Sequence, residues 1–247
     1  MLLEIDNFEQ FKIFFDIIYD ITEFVELQLF RDHMICNILD KGHTRFMSAK
    51  YNREFFSVYE VDDAESVILH TDDLHKIIKS ASKIDTVILQ TNENYLVCKI
   101  ESNNGNSRVF EFVLPSEYVE SPQPPSIDLP VELDLKIDDL KQAIKDLKIL
   151  GTDELEFSIS NQLLSITAGT EITTNYVYNI PSDIEVDYPF SSRFSLDYID
   201  QLLKFSTISK TGKIEIGDDY PLLWSFEDDI MGVEVKGLIA PRIEVED

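Results

Sequence analysis

The sequence predicts an α+β protein of two similar halves, with helices packed on antiparallel sheets. Three observations carry this reading. Helix starts recur near residues 7, 71, 138 and 195, a spacing of roughly 60 residues, and several strand-like segments follow each one. The second and third starts share local text: Asp72-Asp73-Leu74-His75-Lys76-Ile77-Ile78-Lys79 and Asp138-Asp139-Leu140-Lys141-Gln142-Ala143-Ile144-Lys145 agree at five of eight positions. Between the halves, residues 115–130 include Ser121-Pro122-Gln123-Pro124-Pro125-Ser126, where proline opposes both helix and ladder bonding. The expected division is therefore a domain over 1–114, a semi-rigid linker over 115–130 and a second domain over 131–247.

In chain order, residues 2–6 alternate as a short strand, and Asn7 is the expected cap of a helix running to about Thr22. Phe8, Phe11, Phe15 and Ile18 form its apolar side, and Lys12 lies on another. Strands are expected at 25–29, 34–38, 44–47 and 55–60. The next helix starts at Thr71 or Asp72, turns Leu74, Ile77, Ile78 and Ala81 inward, and extends far enough to carry Lys83. Strands follow at 86–90, 95–101 and 108–114, the last two separated by the turn-rich Asn103-Asn104-Gly105-Asn106.

In the second half, Asp138 is the expected cap of a helix to about 149, striped by Leu140, Ile144 and Leu147. Strands are expected at 155–160, 163–168, 175–180 and just before Phe190. The fourth helix is capped by Ser195, with Leu196, Ile199, Leu202 and Leu203 apolar and Lys204 late. Strands at 213–216, 222–226 and 232–239 close the chain.

Lysines recur on the helix faces. Lys76, Lys79 and Lys83 are spaced i, i+3, i+7, and Lys141, Lys145 and Lys148 are spaced i, i+4, i+7, while Lys12 and Lys204 add one each. For one isolated helix a solvated face with local Asp/Lys pairs explains such a stripe. The chain as a whole, however, has 47 acidic against 21 basic residues and a net charge of −26, so its general field repels nucleic acid. Any contact with a duplex has to come from a local basic feature, and lysine suits phosphate contact that ignores base sequence.

Other classes are disfavoured. At 44% hydrophobic and 28% charged residues, the 247-residue chain reads as soluble, globular and large enough for a sizeable core. No apolar run approaches the roughly 18–20 residues that span a bilayer, and the N-terminus lacks a basic signal region. Cys36 and Cys98 read as buried, reduced thiols of an intracellular protein. With 8 glycines, phosphate-cradling loops are not expected. No nucleophile, metalloprotease or nucleotide-binding motif occurs, so no catalytic residue and no cofactor is expected. His33, His43, His70 and His75 lack ligand spacing. The Asp pairs at 62–63, 72–73, 138–139, 218–219 and 228–229 read as helix caps and turns rather than metal ligands.

Several stretches resemble the sliding clamps of the proliferating cell nuclear antigen (PCNA) type, the archaeal ones above all. The most specific are Gly217-Asp218-Asp219-Tyr220-Pro221-Leu222 and Leu238-Ile239-Ala240-Pro241-Arg242-Ile243-Glu244. Leu39-Asp40 with His43, Leu74 to Lys79, Lys145-Asp146-Leu147, Phe194-Ser195-Leu196-Asp197-Tyr198 and Ile127-Asp128-Leu129-Pro130 support them. The similarity runs over the whole chain.

The resemblance implies two clamp domains per chain and three chains joined head to tail in a homotrimeric ring, an edge strand near 108–114 pairing with one near 174–180 of the next copy. It implies that all four helices line the hole, that Lys12, Lys76, Lys79, Lys83, Lys141, Lys145, Lys148 and Lys204 face double-stranded DNA, and that the helices at 71–83 and 137–149 dominate that contact. Partners would be a DNA polymerase, a clamp loader, a flap endonuclease and a ligase, bound through short peptide motifs. By position, the peptide groove would be lined by Leu39, Thr44, Ile127, Leu129, Pro221, Ile239, Ala240 and Pro241, with Thr44 where an apolar residue is usual. The alternatives are a subunit of a heteromeric or checkpoint-type clamp, and an acidic interaction scaffold that does not encircle DNA.

Overall fold

Among the described residues three helices are direct continuations of a β-strand, and that junction organises the fold. The computed structural model describes residues 1–6, 8–92, 94–116, 121–160, 162–170 and 173–242. In order, the elements are β1 (Leu2–Ile5), α1 (Phe8–Ile18), β2 (Phe24–Leu29), β3 (His33–Leu39), β4 (Arg45–Asn52), β5 (Val58–Glu60), β6 (Glu65–His70), α2 (Thr71–Ser80), β7 (Thr86–Asn92), β8 (Tyr95–Glu101) and β9 (Ser107–Val113). They continue as β10 (Val131–Lys136), α3 (Ile137–Leu150), β11 (Glu154–Ser160), β12 (Leu163–Thr170), β13 (Thr173–Pro181), β14 (Phe190–Ser195), α4 (Leu196–Leu202), β15 (Thr211–Ile216), β16 (Leu222–Asp228) and β17 (Val233–Ile239). Short 3₁₀ turns cover Arg53–Phe55 and Leu203–Thr207.

The strands β6 and β10 are absent from the sequence-based expectation, and they explain a second difference. Asp138, Asp72 and Ser195 are not side-chain caps: α2, α3 and α4 follow the extended residues His70, Lys136 and Ser195, and none of these makes a side-chain cap bond. The first helical amide is satisfied by main chain instead. Thr71 N–H donates to Glu23 O, Ile137 N–H to Lys210 O and Leu196 N–H to Asp153 O, at 3.0 Å each. Each acceptor immediately precedes the strand that pairs with the one entering the helix: β2 with β6, β15 with β10, β11 with β14. The ladder thus hands over its last bond to the helix, which meets the demand of an N-terminal amide without a cap residue. Asp72, Asp73, Asp138 and Asp139 sit in first turns, where negative charge suits the helix dipole. The expected cap Asn7 and the side chain of Ile77 lie outside the described residues.

The chain separates into two compact units, Met1–Pro124 with Glu227–Val235, and Pro125–Phe226 with Lys236–Asp247. In the first, one sheet has the order β5-β1-β7-β8-β9, and β6, β2, β3 and β4 follow one another in a second. Helix α1 buries Phe8, Phe11, Phe14, Phe15, Ile17 and Ile18. Phe11, Phe15, Tyr51, Phe55, Phe56 and Tyr59 form a continuous aromatic cluster. Cys36 and Cys98 are buried, and loss of solvent pushes both thiols up, Cys98 to about 12, so neither is a thiolate at neutral pH.

In the second unit one sheet has the order β13-β12-β11-β14, and β10, β15, β16 and β17 follow one another side by side. Helix α3 buries Ile137, Leu140, Ala143, Ile144 and Leu147 and ends at Gly151, whose φ of +73° closes the last turn onto Leu147 O and Lys148 O. Phe205 stacks on both Trp224 and Phe226.

Several expected boundaries move: α1 ends at Ile18 rather than near Thr22, and α4 ends at Leu202, leaving Leu203 and Lys204 in the 3₁₀ turn that follows. Helix α2 ends at Ser80, because Ala81 is already extended and the Asp85 carboxylate accepts the Ser82 amide at 3.0 Å, folding 82–85 into a turn. Lys83 is therefore off the helix. The segment expected before Phe190 is a strand that begins there.

A close approach in the second unit yields a test. A Cβ on Gly212 in β15 would fall 2.3 Å from Phe226 Cε1, inside the aromatic stack. Gly212→Ala should therefore cost about 1–3 kcal/mol of stability, read as a fall in the urea midpoint. An unchanged midpoint would show that Phe226 can give way.

Candidate functional site

The lysine stripes of the sequence divide into paired and unpaired members. In the first unit α1 packs against α2. Lys76 is bound to Asp72 and lies 3.9 Å from Asp73, and Lys83 pairs with Glu9 of α1. The hydrogen bond between Asp72 and Lys76 holds the carboxyl below and the ammonium above its ordinary range. Lys12 and Lys79 make no ion pair among the described residues, and Lys79 is exposed. The remaining polar surface of α1 is not basic: Asp16 faces His75 of α2 at 3.4 Å, and Tyr19 stacks on that imidazole at 4.1 Å.

In the second unit α3 packs against α4, and Lys148 reaches across to Asp200 at 2.7 Å. Lys141, Lys145 and Lys204 are exposed and unpaired among the described residues. Two of the three acids of α3, Asp139 and Asp146, are occupied on a different side, while Asp138 is exposed on the side of the lysines. Tyr178 O–H donates to Asp139 and Tyr176 O–H to Asp146, each at 3.1 Å, and Gln142 donates to Asp146 at 2.9 Å. Desolvation, then the neighbouring carboxylate, pushes the Tyr176 hydroxyl up to about 12, so it stays a donor at neutral pH. Edge strand β13 thus holds Asp139 and Asp146 while Lys141 and Lys145 stay clear.

The expected peptide-binding residues fall in both units. In the first, Leu39 and Thr44 flank the turn after β3 and are half-buried. Asp40 organises this turn: its carboxylate accepts the Thr44 amide and hydroxyl at 2.7 Å each and the Arg45 amide at 2.8 Å. His43 takes a left-handed φ of 54° and donates its amide to Asp40 O. The Thr44 hydroxyl, an irregularity in the sequence pattern, is spent on this turn. Burial works against ionisation of Asp40, but these donors outweigh it and hold its carboxyl below the ordinary range.

In the second unit, Ile127, Leu129, Pro221, Ala240 and Pro241 are half-buried, whereas Ile239 is only 3% exposed and belongs to the core. The loop Gly217–Pro221 packs on the linker, since a Cβ on Gly217 would lie 3.3 Å from Pro130 and 3.4 Å from Leu129. Three consecutive residues of β14, passed over by sequence reasoning, hold this region. Ser191 and Ser192 bond the loop, and Arg193 O accepts the Arg242 amide at 2.8 Å.

Both sheets also keep an open edge. Among the described residues β9 bonds only β8, and β13 bonds only β12. Val109, Val113 and Val177 on these edges are 56%, 71% and 58% exposed.

Residues 2–119 match the family described as proliferating cell nuclear antigen, N-terminal domain. The DNA polymerase sliding clamp of Methanothermobacter thermautotrophicus is 30% identical over 94% of this chain and 94% of its own length. That of Methanobrevibacter smithii is 25% identical, covering 98% and 97%. Among solved structures, Archaeoglobus fulgidus PCNA bound to the C-terminal region of FEN-1 superposes with a TM-score of 0.86 over 99% of each chain at 21% identity, a likeness of fold.

The Asp40 turn gives a prediction with a defined sign. A carboxyl held below its unfolded value of about 3.9 adds stability above that pH and loses it as pH falls through the folded value. Asp40→Ala should cost about 1.5–3 kcal/mol at pH 7, and the gap to the parent should shrink below pH 4 in urea unfolding. A gap that stays constant with pH would contradict the assignment.

Proposed function

The chain belongs to the proliferating cell nuclear antigen (PCNA) family of DNA polymerase sliding clamps, and on that premise we propose that three copies close around double-stranded DNA and tether replication proteins to it. The observation that carries this reading is the set of unpaired lysines on the helices of a chain with net charge −26. Lys12, Lys79, Lys141, Lys145 and Lys204 are the phosphate-facing residues. Lys76, Lys83 and Lys148 contribute less, because each already neutralises a carboxylate.

Grip of this kind is weak by construction. A few flexible ammonium groups screen phosphates without reading bases, so the contact is sensitive to salt and free to slide. Retention then comes from closure, supplied by the open edge of β9 in one copy pairing with that of β13 in the next. The clamp performs no reaction itself: it acts by topology and by holding its clients beside the duplex. Residues 1–114 and 131–247 are the two clamp domains, and 115–130 connects them.

Clients are a DNA polymerase, a clamp loader, a flap endonuclease and a ligase. Their short peptides are assigned to the linker and tail residues Ile127, Leu129, Pro221, Ala240 and Pro241. Leu39 and Thr44 on the front turn are assigned to the same peptides, and Ile239 supports the tail from the core. Half-buried apolar side chains beside extended backbone suit an extended peptide with an aliphatic or aromatic anchor.

Lys79→Glu combined with Lys145→Glu should sharply reduce loader-assisted stimulation of polymerase on circular templates while leaving the assembly size unchanged. The same double change at Lys76 and Lys148 should cost less. Unchanged stimulation in the Lys79/Lys145 variant would sink the assignment of the lysine face.

A further inference from the structure

The loop Gly217–Pro221 and the tail Ile239–Arg242 are separate in sequence, yet both are fastened to one short stretch of β14. Ser192 is 1% exposed. Its hydroxyl donates to Gly217 O at 2.8 Å and accepts the Tyr220 amide at 3.1 Å, bracketing the loop from beneath. On one side of it, Ser191 O accepts the Asp219 amide at 3.0 Å, and the Ser191 amide donates to Asp218 Oδ1 at 3.1 Å. These bonds hold Asp219 in its left-handed φ of 52°. On the other side, Arg193 O accepts the Arg242 amide at 2.8 Å. The Arg242 guanidinium then lies 3.1 Å from Asp153 and 3.2 Å from Glu154, at the start of the neighbouring strand β11.

We infer that Ser192 and Arg242 are positioning residues for client binding: through β14 they set the loop and the tail at the spacing a client peptide requires. This rests on the reading of the linker and tail residues as the peptide surface. An extended peptide gains affinity from walls already in place, because it does not then have to order them on arrival. Neither residue is placed among those that touch the peptide. Ser192 lies beneath the loop, and the Arg242 side chain is spent on two carboxylates. The two attachments differ in character, which separates them experimentally. The Ser192 bonds are buried and neutral, whereas the Arg242 pair is partly exposed and ionic, hence open to screening by salt.

The test is binding of a fluorescein-labelled flap-endonuclease C-terminal peptide to the intact chain, followed by anisotropy. Arg242→Ala should weaken binding roughly three- to fivefold at about 0.1 M salt. That gap should close near 1 M salt, and Arg242→Lys should retain most of the affinity. Ser192→Ala should weaken binding roughly tenfold at either salt concentration. The combined variant should lose less than the product of the two, since both act through one strand. Ala240→Glu is the control for the peptide surface itself. If Ala240→Glu binds as the parent does, the reading of that surface falls and the inference falls with it. If Ala240→Glu abolishes binding while Arg242→Ala and Ser192→Ala both bind as the parent does, the surface stands and the inference is overturned. A loss in Ser192→Ala alone, with Arg242→Ala indifferent at low salt, overturns the role of the tail attachment.

Discussion

An open sheet edge is a demand for a partner, and among the edge strands of the described residues β9 and β13 are two that expose valines. Each uses one side of its backbone, although Arg108 and Glu111 on β9 and Pro181 at the end of β13 partly blunt these edges. One edge belongs to each unit. A contact between unlike edges repeats from copy to copy, and it ends only when the rotation closes. The remaining features acquire a direction from this constraint. The strand-to-helix junctions fix α2, α3 and α4 each to its own sheet, so a closed assembly inherits these helix faces.

Charge is then sorted within the helices rather than across the whole chain. A net charge of −26 leaves no generally basic surface. On α3, Asp139 and Asp146 are drawn to Tyr178 and Tyr176 of β13, and Lys141 and Lys145 are left unpaired. On α2 the sorting is less complete, because Asp72 and Asp73 remain beside Lys76. The same strand β13 therefore offers an open edge and restrains two of the three acids of the helix that carries the lysines. A duplex would meet a face close to neutral rather than a strongly attractive one, which suits movement along DNA better than residence on it.

The apolar stripe of Leu140, Ile144 and Leu147 and the lysines at 141, 145 and 148 were legible in the sequence because both are local patterns with the helical period. The helix starts were legible as positions but not as mechanisms. Their caps are the carbonyls of Glu23, Lys210 and Asp153, which only the ladder brings near. Strands β6 and β10 were hidden for a related reason: each runs straight into a helix, so no turn residue marks where one period gives way to the other. Val131–Lys136 does alternate buried and exposed residues, but it lies between a proline-rich linker and a stronger helical signal. The end of α2 was misplaced because Asp85 and Ser82, rather than a glycine or proline, close it. At the linker and tail, the motif Leu238 to Pro241 was visible as text. The β14 residues that hold it were not, since a buried serine in a strand carries no signal of its own.

The account stands or falls on whether this one chain closes its own edges. Size-exclusion chromatography with light scattering on the pure protein, at micromolar concentration and moderate salt, measures that directly. The expected mass is about three times the 28.5 kDa of one chain, unchanged on dilution over the range where a weak contact would part. A mass of one chain throughout would contradict the account, because β9 and β13 would then be edges without partners.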